Sequence, residues 1–298
     1  MASAMHERAR REPDYRGTDR RGRVSSCSLG LEELRRIYRL LQQQNDQLVP
    51  EITSSITPEE GQTDIELRER VRENLRVTVV ARGADGEQVV THDISGLDES
   101  NLPPVLSELM IDSAWAARMV LGGRNPLNWC QVTLDFTRTP LIDLSSPSGE
   151  ETRNASYYQV VGANSTWAAA THQGLIRELE LRRLWTGWLH GARTYDLLLM
   201  LLLLPMALWG TWRLSTVLKW NVILDVGVGI IVNVYVFLLL VTVLRAIFGI
   251  ARWLWPYVEL RREGQGRRAF VARTAIVAFV TGIIYQFAVD MLRVLVGS

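Results

Sequence analysis

Hydrophobic and polar positions change period twice along this chain, and the changes divide it into three stretches. Leu31, Leu34, Ile37 and Leu41 recur at helical spacing and predict a helix over residues 28–48, with Ser28 as its cap, Glu32 and Glu33 in its first turn and Pro50 at its end. A polar loop with Thr57, Pro58 and Gly61 follows, then a short helix over 64–73. Next the period falls to two. Leu75, Val77 and Val79 alternate with Arg76, Thr78 and Arg82, the pattern of a half-buried strand, and Asp85-Gly86 supplies a hairpin turn into Glu87–His92. Further strands are predicted at 106–111, 129–136 and 157–161, separated by turn-rich pieces at 122–126 and 145–149. Short consecutive strands without long helices between them predict a mainly antiparallel sheet in an α+β domain.

From Thr166 the helical period returns. Leu175, Ile176, Leu179, Leu184 and Trp188 form an amphipathic stretch, read as a stalk or interfacial helix leading to the membrane. The run beginning at Leu197 then carries no charge as far as Leu208, and Trp188 to Trp212 spans about 36 Å as a helix, enough for a hydrocarbon core of about 30 Å. Spans are predicted at about 192–213, 221–247 and 271–296, with 221–255 the stretch where a re-entrant turn is the alternative to one span. Tryptophans at 185, 188, 209, 212, 220, 253 and 255 sit near the proposed ends, the level that indole rings favour. The fold expected is thus an α+β cytoplasmic domain (28–190) with N-terminal and stalk helices, followed by an all-α membrane domain (191–298) of three transmembrane helices. Residues 1–27, Arg-rich and short of large apolar residues, are expected to be a disordered basic tail without the apolar core of a signal peptide.

Charge changes the picture only when split by position. The net charge is +1, yet Arg177, Arg182, Arg183 and Arg193 precede the first span and six arginines (252, 261, 262, 267, 268, 273) lie between the second and third. The connection after the first span has only Arg213 and Lys219, the chain's single lysine, and the tail has only Arg293. Heavy, light, heavy, light predicts a multi-pass protein of the cell membrane with the N-terminus in the cytoplasm and the C-terminus outside it.

Candidate chemistry in the sheet domain is thin. The histidines (6, 92, 172, 190) are not spaced as metal ligands, and the cysteines, Cys27 and Cys130, have no ligand-spaced partner; Cys130 reads as a buried reduced thiol. His92-Asp93 and the Glu108/Asp112 pair lack the further group that a catalytic site needs, and Gly122-Gly123 lacks the lysine of a phosphate loop. No catalytic residue, cofactor or metal is predicted, and no nucleic-acid partner.

The membrane segments carry more signal. Asp225, Gly229 and Asn233 share one face of the second span; Ala278, Gly282, Gln286 and Asp290 share one face of the third, with Arg293 close by. Polar groups in hydrocarbon seek partners and small residues permit close approach, which suits helix packing or a homo-oligomer seam; the same faces are also those a polar path would use. Antiparallel spans place Asp225 level with Arg293 and Asn233 level with Gln286, so these are the expected pairs, with Asp290 in the outer cluster. Arg261, Arg262, Arg267 and Arg268 are candidates for contact with lipid headgroups. The function expected is a non-enzymatic integral membrane protein whose cytoplasmic domain binds a protein or small ligand. A pore lined by spans 2 and 3 is the alternative, and an enzyme with a dispersed site ranks third.

Overall fold

The computed structural model describes residues 17–58, 60–93, 95, 97–139, 152–219, 226–262 and 266–295. Contacts divide the chain into two units, Met1–Thr137 with Ala155–Arg183, and Arg138–Asn154 with Leu184–Ser298.

The first unit contains strands β1 (Thr18–Arg23), β2 (Cys27–Gly30), β3 (Thr78–Gly83), β4 (Gln88–Thr91), β5 (Leu106–Asp112), β6 (Asn128–Asp135) and β7 (Tyr157–Gly162). Its helices are α1 (Leu31–Asp46), α2 (Val49–Ser55), α3 (Asp64–Asn74), α4 (Trp115–Val120) and α5 (Ser165–Glu180). Six strands form one sheet in the order β1-β7-β6-β5-β3-β4, antiparallel at every step. The Asp85-Gly86 turn joins β3 to β4 as its sequence requires, with Gly86 at φ +89°.

Strand register decides the core. Val79 lies opposite Ile111, Ile111 opposite Val132, and Cys130 opposite Val160. With Leu109 and Leu134 they share one sheet face and all are fully buried. Helices α1 and α5 pack together, Leu40 meeting Gly174, and α5 lies on β7 and β1. Leu34, Ile37 and Leu41 of α1, and Trp167, Ala168, Leu175 and Leu179 of α5, are buried. The Trp167 indole donates to the Gln44 carbonyl at 2.9 Å, and the buried Asn45 amide donates to the carbonyls of Leu75 and Ser113 at 2.7 and 2.9 Å. These two buried donors are therefore placed where carbonyls await them.

Several expectations need correction. Residues 18–23, expected in a disordered tail, are the edge strand β1, held by β7; Gly22 lies so close beneath Tyr158 that an added Cβ would fall 2.2 Å from its hydroxyl. Cys27, expected in the same tail, is buried in β2, where burial pushes its thiol up to about 12; burial, with the nearby Asp112 carboxylate, also pushes the Cys130 thiol up. Ser28 does not cap α1. Gly30 occupies the cap and its N–H donates to the Glu33 carboxylate at 2.9 Å. Pro50 opens a helix at its first turn, where the missing N–H is not needed. Most of the stretch read as a stalk is α5, which ends at Glu180 with its apolar stripe covered by α1 and the sheet.

In the second unit, Ala192–Leu198 (α6) continues through a π-helical turn, Leu199–Leu203, into Leu204–Leu218 (α7). Pro205 has no N–H to offer Leu201, and the turn ahead of it widens so that the Leu204 N–H reaches Leu199. Helix α8 (Val226–Leu254), the short strand β8 (Val258–Arg261) and helix α9 (Gly266–Leu295) complete it. Among the described residues three helices are long and apolar enough to cross a membrane: Arg193–Leu218, Val226–Leu254 and Phe270–Asp290, of mean hydropathy 1.7, 2.6 and 1.6. The second is continuous over 29 residues, so 226–254 contains no re-entrant turn. The domain boundary expected at 190/191 falls earlier, since Trp185–His190 belongs to this second unit.

Candidate functional site: a buried carboxylate and capping arginines among the apolar helices

Asp290 is the centre of the polar cluster at one end of the helices. Its side chain is 7% exposed, and it faces the Arg213 guanidinium of α7 at 3.0 Å. The Trp209 indole donates to the same carboxylate oxygen at 3.2 Å, and Gln286, one turn earlier in α9, donates to the other at 3.3 Å. Arg293 stands 3.9 Å away and is largely exposed. Trp209 also packs edge-on against Phe287, with ring centroids 5.7 Å apart. A carboxylate thus meets two hydrogen-bond donors and a cation, the combination that makes an ionised group tolerable away from water. Arg213 reaches it because Trp209 and Arg213 are four residues apart and share one helix face.

Of the residues singled out from sequence, Gln286, Asp290 and Arg293 are brought together. Asn233 lies on α8 and is engaged in an interaction there. Asp225 lies outside the described residues, as do the side chains of Arg267 and Arg268, so the Asp225–Arg293 pair is not addressed. Arg261 is exposed and Arg262 half-buried. Sequence reasoning missed Arg213 and Trp209 as Asp290's partners, having read Trp209 as interfacial and Arg213 as a charge of the connection after the first span; their spacing of four was the available signal.

A second polar group gathers around the last turn of α8. Arg273 of α9 donates twice to the Leu254 carbonyl, at 3.1 and 2.9 Å, and pairs with Glu259 at 2.6 Å. Arg252, which is buried, donates to the Leu189 carbonyl at 3.0 Å with its guanidinium 4.8 Å from the Phe248 ring. Terminal carbonyls of a helix lack partners within it, and arginine supplies both donors and favourable charge. His190, 1% exposed, joins the group: Nε2–H donates to the Trp255 carbonyl at 2.8 Å, while Nδ1 accepts from the Thr152 hydroxyl at 3.0 Å. Both contacts suit a neutral imidazole. Burial holds its pKa below the usual histidine value, opposed by the Trp255 bond and assisted by Arg252. Two of the six arginines between spans 2 and 3 are thereby engaged with backbone carbonyls.

In the sheet unit, Asp112 is fully buried, pairs with Arg118 and accepts from the Ala114 N–H at 2.8 Å, which makes it a turn-former. Glu108 pairs with Arg82 across the strands at 2.9 Å. His92 Nδ1 lies 2.9 Å from the Thr78 hydroxyl, and its carbonyl accepts from Tyr38. Among the described residues no group of three His, Cys, Asp or Glu side chains is placed to hold a metal ion. Comparisons with protein-family models, curated proteins and solved structures find no match to this chain.

Proposed function

We propose that this is a non-enzymatic integral membrane protein in which three helices anchor a cytoplasmic sheet domain that binds a partner. The observation that carries the reading is the asymmetry of the sheet. One face is covered by α1 and α5. The other buries Thr78, Val80, Asp112 and Thr133 but presents Asp19, Arg21, Gln131, Tyr157, Gln159, Arg82 and Glu108 exposed or half-buried. These polar positions on an anchored domain suit recognition of a protein or small ligand. The alternative, a pore, draws on the same intramembrane polar groups; pairing of Asp290 with Arg213 favours helix packing, since a neutralised pair offers ions little.

Orientation follows the arginine asymmetry: N-terminus inside, C-terminus outside. A reporter fused after Ser298 is expected to behave as extracytoplasmic, and one inserted at Gly264 as cytoplasmic. For the binding role, a photo-crosslinking residue replacing Tyr157 or Gln131 in cells should give a discrete adduct, while one replacing Ile65 of α3 should not. A C-terminal reporter inside the cell, or absence of adducts from the sheet face, overturns the respective half of the reading. Dye leakage from proteoliposomes would favour the pore.

A further inference from the structure

Strand β1 and the C-terminal half of α5 border a surface pocket of about 580 Å³ lined by Arg20, His172, Ile176, Arg177, Glu180 and Leu181, with the Gln173 amide at its side. Its charges differ from those around it. Neighbouring arginines are occupied: Arg21 with Asp19 at 2.8 Å, Arg36 with Glu178 at 3.5 Å, Arg182 with Glu33 at 2.7 Å. Among the described residues neither Arg20 nor Arg177 has a carboxylate within 4.0 Å, although Glu180 lines the same pocket. Arg20 Nη1 donates instead to His172 Nδ1 at 3.5 Å, and His172 Nε2 lies 3.4 Å from the Tyr158 hydroxyl. A ring accepting at Nδ1 is neutral, so it orients the guanidinium without cancelling its charge.

The lining therefore offers two uncompensated guanidinium groups, one separate carboxylate, and an aliphatic pair in which Leu181 is 66% exposed. We propose that this pocket binds an aminoalkyl phosphate diester, the headgroup chemistry of an ethanolamine phospholipid. Arg20 and Arg177 take the phosphate, for which forked donors are suited; Glu180 takes the ammonium; Ile176 and Leu181 meet the glycerol and first methylenes. The aliphatic pair favours the lipid as source, since a free aminoalkyl phosphate has no glycerol or acyl methylenes to set against Ile176 and Leu181. The inference rests on the membrane reading above.

Native mass spectrometry of the full-length protein in detergent, offered ethanolamine, choline and glycerol phospholipids with identical acyl chains, tests it. Retention of the ethanolamine lipid should exceed that of the choline lipid by at least about fivefold, because a quaternary ammonium cannot donate to Glu180. Arg20→Ala with Arg177→Ala should abolish the preference, and Glu180→Gln should shift it toward the anionic glycerol lipid. Equal retention by wild type and the double variant overturns lipid binding. Free phosphoethanolamine, titrated calorimetrically into the same samples, separates the sources: saturable binding lost in the double variant, without lipid preference, supports the pocket chemistry with a soluble ligand. Silence in both arms overturns the proposal. Alkaline carbonate extraction of membranes from the expressing cells is run alongside; release of the chain would refute the membrane reading while leaving the phosphoethanolamine result to judge the pocket.

Discussion

The two units solve opposite packing problems with the same chain. In the sheet unit, apolar side chains from four central strands and two helices are driven together by water, and Leu109, Ile111, Val132 and Leu134 are left with no accessible surface. In the apolar-helix unit only a small cluster of Tyr195, Leu203 and Phe248 is buried and most apolar side chains stay on the outside: only 17%, 6% and 0% of the three hydrophobic windows are buried, and Leu238, Leu239 and Phe279 are more than half exposed. In the membrane proposed above, hydrocarbon would solvate those side chains as well as another helix does, so burial would contribute little there. What specifies contact is a small number of polar links and close approaches, Asp290 with Arg213, Arg273 with the end of α8, Gly210 against Leu240. Specificity in one unit is spread over a core; in the other it is concentrated in a few residues.

That contrast is most sharply tested by the same substitution in both places. Leu109→Ala should lower the stability of the sheet unit by about 2–5 kcal/mol, because a fully enclosed site cannot collapse onto the space left. Leu238→Ala, 56% exposed on α8, should change stability by less than about 0.5 kcal/mol. Unfolding of the full-length protein in detergent, followed by circular dichroism, gives both values; equal losses would erase the distinction.

Polar substitutions rank next. Asn45→Ala strands two buried carbonyls in the sheet unit and should cost about 1–3 kcal/mol in the same assay. Arg213→Ala should cost less, about 0.6–2 kcal/mol against denaturation in dodecyl sulfate, and adding Asp290→Asn should recover part of it by removing the charge left behind. Arg293→Ala, further from the carboxylate and more exposed, should fall below Arg213→Ala. The reverse order would move the centre of the cluster to Arg293.

Acid should have the smallest effect. His190 has a folded pKa below its unfolded value near 6.5, so the unfolded chain binds the extra proton first. The stabilising contribution of the neutral ring is then complete above about pH 6.5 and declines as pH falls through that value toward the folded pKa. Between pH 7.5 and 5.5 the wild type should lose more melting temperature than His190→Gln, whose amide does not titrate in that range. Identical losses would remove His190 from the pH response.

How much of this was legible follows from the kind of signal each part carries. Strands β3 to β7 alternate in the sequence because one sheet face is buried, and the Asp85-Gly86 turn marks its hairpin. Strand β1 was not legible: TDRRGR contains no large apolar residue, and its order comes from pairing with β7 and from Tyr158 covering Gly22. Asp290 was found, since a carboxylate in an apolar helix stands out. Its partner was not, since an arginine at a helix end looks like an ordinary interfacial anchor until the neighbouring helix is in place.

Sequence by itself determined the division into a sheet-forming region and three helices long enough to cross a bilayer, because period and run length depend only on which face or how much length must be apolar. It also marked Gln286 and Asp290 as sharing a helix face, a consequence of 3.6 residues per turn. Tertiary structure alone decided that α5 is a core helix and not a stalk, that arginines 252 and 273 are engaged with helix-terminal carbonyls, and that Arg20 and Arg177 line one pocket. Those outcomes depend on which residue arrives from a distant part of the chain. A local pattern fixes what a segment needs to bury or satisfy; the partner that does so is set by the packing of whole elements.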